Sequence, residues 1–220
     1  MVWIGICLLP LAINGDTYMY LTNSNLFLTL LSVFLFVGIS MLIGTVLTKV
    51  MKEKGYVTST PITLTLTAVI SLFLFGRFGL SVTAIQGVFL LFVLLYASFS
   101  DLTNHIVDDY VWIIVFALAL LNIQTVGLTS MVTGALCVFI PQMAMALLPP
   151  HKTLGGADIK LSTALAFLLG WQRGLAAYIV GLLLAIIVMC IVNKVRKNKE
   201  SKAFALVPFL SVAAMAMIMI

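Results

Sequence analysis

The chain has 220 residues, 63% hydrophobic and 9% charged, with 12 Lys+Arg against 7 Asp+Glu for a formal net charge of +5. A soluble domain of this length would carry about 55 charged residues, so the side chains needed to coat a water-facing surface are missing, and a soluble globule and a disordered chain are both excluded. The basic residues sit in short loops between apolar runs rather than on one stripe, which excludes a phosphate-tracking nucleic-acid surface.

The composition is that of an integral membrane protein: an all-α, polytopic helix bundle forming one domain over residues 1–220. In chain order, the apolar stretch 2–13 lacks the basic n-region and cleavage site of a signal peptide and reads as a short first span or an interfacial helix. Apolar runs follow near 26–47, 62–76, 82–99, 110–126, 129–148, 159–170, 174–192 and 204–220. Most approach the roughly 20 residues a spanning helix needs, so about eight or nine spans are expected. Cys7, Cys137 and Cys190 each lie inside an apolar run without CxxC spacing. They are expected to be small buried residues and neither metal ligands nor disulfides.

Alternate loops hold Lys49, Lys52 and Lys54, then Lys152 and Lys160, then Lys194, Arg196, Lys197, Lys199 and Lys202, leaving only Arg77 and Arg173 on the other side. This asymmetry predicts that the ten face the cytoplasm. Alternation places the loop at 100–109 on the same side.

Of the seven acids, Asp16, Glu53 and Glu200 read as solvated loop residues. Asp101, Asp108, Asp109 and Asp158 instead gather at the predicted cytoplasmic helix ends, and acids at membrane depth are functional candidates. Asp108, Asp109 and Asp158 are also placed to cap the helices that follow them, whereas Asp101 ends a helix, where the dipole disfavours a carboxylate. Asp158, Ser162, Ala166 and Gly170 recur every fourth residue, and Ala97, Ser98 and Ser100 surround the other helix end. Small residues let membrane helices approach closely, so either these stripes bring the two carboxyls together or they serve ordinary packing. Two carboxyls a few ångströms apart share a proton and can act as base on a water and acid on a carbonyl oxygen, the chemistry of an aspartyl protease. The sequence contains no HExxH and no GxSG, and His105 and His151 read as loop residues.

Four blocks in order carry a resemblance: ArgPheGlyLeuSer (77–81), AspLeuThrAsnHisIleValAspAsp (101–109), LeuGlyGlyAlaAspIleLysLeu (154–161) and LysAlaPheAlaLeuValProPheLeu (202–210). Over roughly 60–215 the chain resembles the type IV prepilin peptidase family, the leader peptidases of the GxGD aspartyl class. Asp108 stands where that pattern has Pro, and Ala157 where GxGD has its second Gly. The Cys-x-x-Cys pairs that many members associate with N-methylation are not found, so methylation is not expected of this chain.

The resemblance implies that Asp101 and Asp158 are the catalytic pair and that Gly155, Gly156 and Lys160 shape and polarise the second site. It also implies a prepilin or pilin-like precursor as substrate, cut on the cytoplasmic side of the cell membrane between a short basic leader and an apolar helix. Neither a cofactor nor a metal is implied, and the partners are the precursor and the lipid bilayer. The helix ends assign Asp101 as proton donor and Asp158, near Lys160, as base. Asp108 and Asp109, the paired acids of a basic face, are expected to attract the leader. The alternatives are a small proton- or cation-coupled transporter with membrane-edge carboxylates, or a non-catalytic subunit of a pilus or secretion machine.

Overall fold

The computed structural model describes residues 26–147, 155–195 and 205–220. The predicted segment 2–13, Cys7, Asp16, His151, Lys152 and the basic run from Arg196 to Lys202 lie outside them. Among the described residues the secondary structure is entirely helical: α1 (Leu26–Glu53), α2 (Thr60–Phe78), α3 (Val82–Asn104), α4 (Asp109–Leu120), α5 (Ile123–Val126), α6 (Leu128–Leu147), α7 (Gly156–Val195) and α8 (Val207–Met219). Five of these, α1, α2, α3, α6 and α7, are long and apolar enough to cross a membrane, and α4 and α8 are shorter apolar helices. The all-α membrane bundle expected from composition is the observed architecture.

Local sequence explains the boundaries. Pro61 stands in the first turn of α2, where its missing N–H costs no helical bond. Ser81 caps α3, its hydroxyl accepting from the amide of Ala84 at 3.2 Å. The two predicted spans 159–170 and 174–192 are the arms of α7, which folds back at Gly170 (φ 79°, ψ 179°). Only a residue without Cβ adopts that backbone cheaply. In the folded protein a Cβ at Gly170 would also meet Val126 Cγ1 and the Ser130 hydroxyl at 2.7 Å.

Lipid tails are as apolar as leucine, so close packing rather than water exclusion must hold such helices together. The small-residue stripe of α7 supplies it, but not towards α3. A Cβ on Gly134 of α6 would lie 2.9 Å from the Ala166 carbonyl oxygen, and one on Gly174 would lie 2.7 Å from the Ala166 Cα. The stripe therefore tightens α6 and the second arm of α7 against the first arm. Helix α8 packs on both α3 and α7 and joins the two acid-bearing helices. On its α7 face, a Cβ at Gly181 would lie 2.9 Å from Leu210.

The core is built around α3, whose Leu90, Leu91 and Leu94 are almost fully buried with Leu161 and Leu168 of α7 and Val207 of α8. Phe34, Leu42 and Val69 of α1 and α2 point outward, as lipid-facing positions do. Cys137 and Cys190 are also on the outer surface, against the expectation that they are buried. They sit on the outward faces of α6 and α7, where a small apolar side chain meets lipid instead of core.

Candidate active site

Asp101 occupies the last turn of α3 and is 7% exposed. Its helix stops because His105 turns into the left-handed region (φ 54°) while its amide donates back to the Asp101 carbonyl at 3.0 Å. The side chain of Asp101 does not face solvent. Its Oδ2 accepts the amide N–H of Val207 at 3.0 Å, and the amide of Leu206 also donates to this carboxyl. A helix N-terminus presents unsatisfied N–H groups and positive charge. Asp101 therefore ends one helix and meets the beginning of another, an arrangement the reading from α3 alone missed. The signal was present in the ValProPheLeu block, which opens α8. One turn earlier on α3, the Ser98 hydroxyl lies 3.1 Å from that of Ser211, a second polar tie between α3 and α8.

Asp158 is the third residue of α7, half-buried, and within electrostatic reach of Asp101. The two predicted carboxyls are thus brought to one end of the bundle, with α8 between their helices. Helix α7 opens with the amides of Asp158 and Ile159 donating to the Gly155 carbonyl at 3.1 and 3.3 Å. A Cβ on Gly155 would stand 3.0 Å from Asp158 Oδ2, so this glycine gives the carboxylate its space. Gly156 has open space around its missing Cβ, and Ala157 lies inside the helix with no positive φ. The substitution of Ala for the second glycine of GxGD therefore imposes no backbone strain here.

One turn into α7, Ser162 is tied to Gln142 of α6. The Gln142 amide donates to the Ser162 oxygen at 2.8 Å, and the serine hydroxyl lies 3.0 Å from Gln142 Oε1. Both residues are almost fully buried. Tyr178 of the second arm bonds to the same glutamine. This polar knot fixes the rotation of the helix that carries Asp158.

Lys160, expected beside Asp158, instead pairs with Asp109 at 2.6 Å, with its ammonium 5.8 Å from the Trp112 ring centroid. The pair bridges the beginnings of α4 and α7. Farther along the same two helices, Phe116 and Phe167 stack at 4.5 Å. Asp108 is the N-cap residue of α4, but its side chain makes no capping bond. Its Oδ2 accepts the Tyr96 hydroxyl at 2.8 Å, and Tyr110 also bonds to it. Hydrogen bonds from Tyr110 and Tyr96 hold this carboxyl below the usual carboxylate range. The structure thus separates the two acids expected to work together: Asp109 faces α7 and Asp108 faces α3. Among the described residues no group of three or more His, Cys, Asp or Glu could hold a metal ion.

Residues 88–192, which include both aspartates, match the type IV leader peptidase family. No curated protein and no solved structure matches the chain.

Proposed function

We propose, from the match of residues 88–192, which carry Asp101 and Asp158, to the type IV leader peptidase family, that this multi-pass membrane protein is an aspartic endopeptidase. It removes the short basic leader of a prepilin-like precursor at the cytoplasmic face of the membrane. The observation that carries the reading is the gathering of Asp101 and Asp158 from distant stretches of chain at one end of the bundle, within electrostatic reach of each other.

In this mechanism a water lies between the two carboxyls. One carboxylate takes a proton from the water as its oxygen attacks the scissile carbonyl carbon. The other carboxyl, protonated, donates to the carbonyl oxygen, and the tetrahedral intermediate collapses with proton transfer to the leaving nitrogen. The N–H groups of Val207 and Leu206 donate to the Asp101 carboxylate and hold it in place as an acceptor beside the water. Among the described residues no hydrogen bond reaches the carboxylate of Asp158, which has Gly155 beside it and room to turn towards the carbonyl oxygen. Asp101 is therefore the base and Asp158 the proton donor, the reverse of the assignment made from the helix ends, because that argument left out α8. Gly155 gives Asp158 its space, and Lys160 acts through Asp109 as a tie between α4 and α7.

The test is co-expression of a pilin-like precursor with the wild type, Asp101→Asn and Asp158→Asn, following leader removal by gel shift and membrane-fraction protein levels in parallel. Cleavage by the wild type and at least a hundredfold loss in each variant at normal abundance is the expected result. Full activity in either variant would exclude the paired-carboxyl mechanism.

A further inference from the structure

On the side of α3 away from Asp101, a second cluster of groups is assembled at the same end of the bundle. Tyr96 is five residues before Asp101, a rotation of about 140° around the helix, and is 8% exposed. Its ring packs edge-on against Tyr56 from the α1–α2 loop, with centroids 5.8 Å apart, and at the same distance against Tyr110 of α4. Its hydroxyl donates to Asp108, and that of Tyr56 lies 3.3 Å away. The cluster already holds a cation. The Lys54 ammonium donates to the Tyr96 oxygen at 2.9 Å and stands 5.1 Å from the ring centroid. Three tyrosine rings and one carboxylate are the recognition chemistry of an alkylammonium or guanidinium group. That Asp108 turns to the tyrosines and leaves its own helix uncapped by its side chain shows that α4 does not dictate its position.

We propose that Tyr56, Tyr96, Tyr110 and Asp108 form a binding site for a lysine or arginine side chain of the incoming polypeptide, and that Lys54 is its internal occupant, displaced when that chain binds. The proposal rests on the peptidase reading for the identity of the polypeptide. An extended chain covers about 3.3 Å per residue, so a few residues of leader lead from the scissile bond around the end of α3 to this cluster. Ser100, next to Asp101 in sequence, marks the route: its hydroxyl donates to the Ile106 carbonyl at 2.7 Å and lies 3.4 Å from the Tyr56 hydroxyl. Lys54 competes with the incoming side chain for the Tyr96 ring and hydroxyl, so its presence lowers the affinity for a lysine leader and leaves a neutral leader unaffected. The same residue suppresses occupancy by weak cations.

The experiment is equilibrium binding of two fluorescent peptides to purified full-length protein in detergent. The peptides have the same leader-like sequence, one with two lysines and one with glutamines in their place. With Lys54→Gln, and with Lys54→Met as a second variant that keeps the aliphatic stem, the lysine peptide is expected to bind about fivefold tighter while the glutamine peptide is unchanged. Asp108→Asn is expected to weaken the lysine peptide alone. Lys52→Gln removes the same charge two residues away, where the ammonium bonds to Thr60 at 2.6 Å, and is expected to produce less than a twofold gain. An unchanged or weaker lysine peptide in both Lys54 variants would overturn the proposal. So would equal gains in the Lys52 and Lys54 variants, or equal shifts for both peptides. Binding is read without turnover, so absence of cleavage in the precursor assay would remove the peptidase reading and leave this result separately readable.

Discussion

The amide of Val207 donates to the carboxylate of Asp101 at 3.0 Å across 106 residues of sequence, so one side chain serves both the reaction and the anchoring of α8. The two roles separate by substitution. Asp101→Asn keeps an oxygen acceptor for Val207 and removes only the acid–base function, whereas Asp101→Ala leaves the buried amide unpaired. Both variants are expected to be inactive, but the alanine variant is expected to be less stable than the asparagine variant by about 1 kcal/mol, the cost of a lost helix cap. Thermal unfolding in detergent checks this. Equal stability of the two would show that Asp101 does not hold α8.

Gly155 and Gly156 differ in what a methyl group would meet. At Gly155 it would stand 3.0 Å from Asp158 Oδ2, and at Gly156 it would meet nothing within 4 Å. Gly155→Ala is expected to reduce kcat tenfold or more with KM little changed, because the carboxylate must turn away from its working position. Gly156→Ala is expected to retain activity within about threefold. Steady-state cleavage kinetics on one precursor peptide would decide, and similar losses in both variants would remove Gly155 from the site.

The eight apolar runs and the grouping of Asp101 with Asp158 were legible in the sequence because a membrane chain records its spans as hydropathy and places acids only at helix ends. What joins those ends was not legible. The stripe Asp158, Ser162, Ala166, Gly170 announces a close approach but not its partner. That partner is α6 and the second arm of α7, because Gly134 and Gly174 present matching gaps. Lys160 lies two residues beyond Asp158 in sequence, yet two positions along a helix point to different sides, and it pairs with Asp109. The tyrosine cluster escaped notice because its members come from a loop and two helices, and single tyrosines near helix ends are ordinary in membrane proteins.

The fold-back of α7 makes a stability prediction independent of catalysis. A Cβ at Gly134 would fall 2.7 Å from the Gly170 carbonyl carbon and 2.8 Å from the Trp171 nitrogen, backbone atoms that cannot move aside cheaply. Gly134→Ala and Gly174→Ala are each expected to destabilise the protein by about 1–3 kcal/mol. Gly38→Ala, where nothing lies within 4 Å, is expected to be neutral or slightly stabilising through helix propensity. Detergent thermal melts of the three variants measure the contrast, and equal melting temperatures would mean that α6 and α7 are not so closely packed.

The charge preference for the leader carries its own pH signature. Hydrogen bonds from Tyr110 and Tyr96 lower the Asp108 carboxyl from the ordinary carboxylate value, so its contribution is complete above about pH 4 and is lost as pH falls through the lowered value. Lys54 is shifted the other way, its ammonium favoured chiefly by the hydrogen bond to Tyr96. Its contribution is complete below about pH 10 and is lost as pH rises through the raised value. Both groups therefore stay charged from about pH 5 to 9. The ratio of KM for a glutamine leader to KM for a lysine leader is expected to be flat across that window, whatever the catalytic pair does to kcat, and to collapse only at the acid extreme as Asp108 is protonated. Measuring both KM values at half-unit intervals from about pH 3 to 9 tests it. A ratio that instead falls between pH 6 and 7.5 would remove the preference from Asp108 and Lys54.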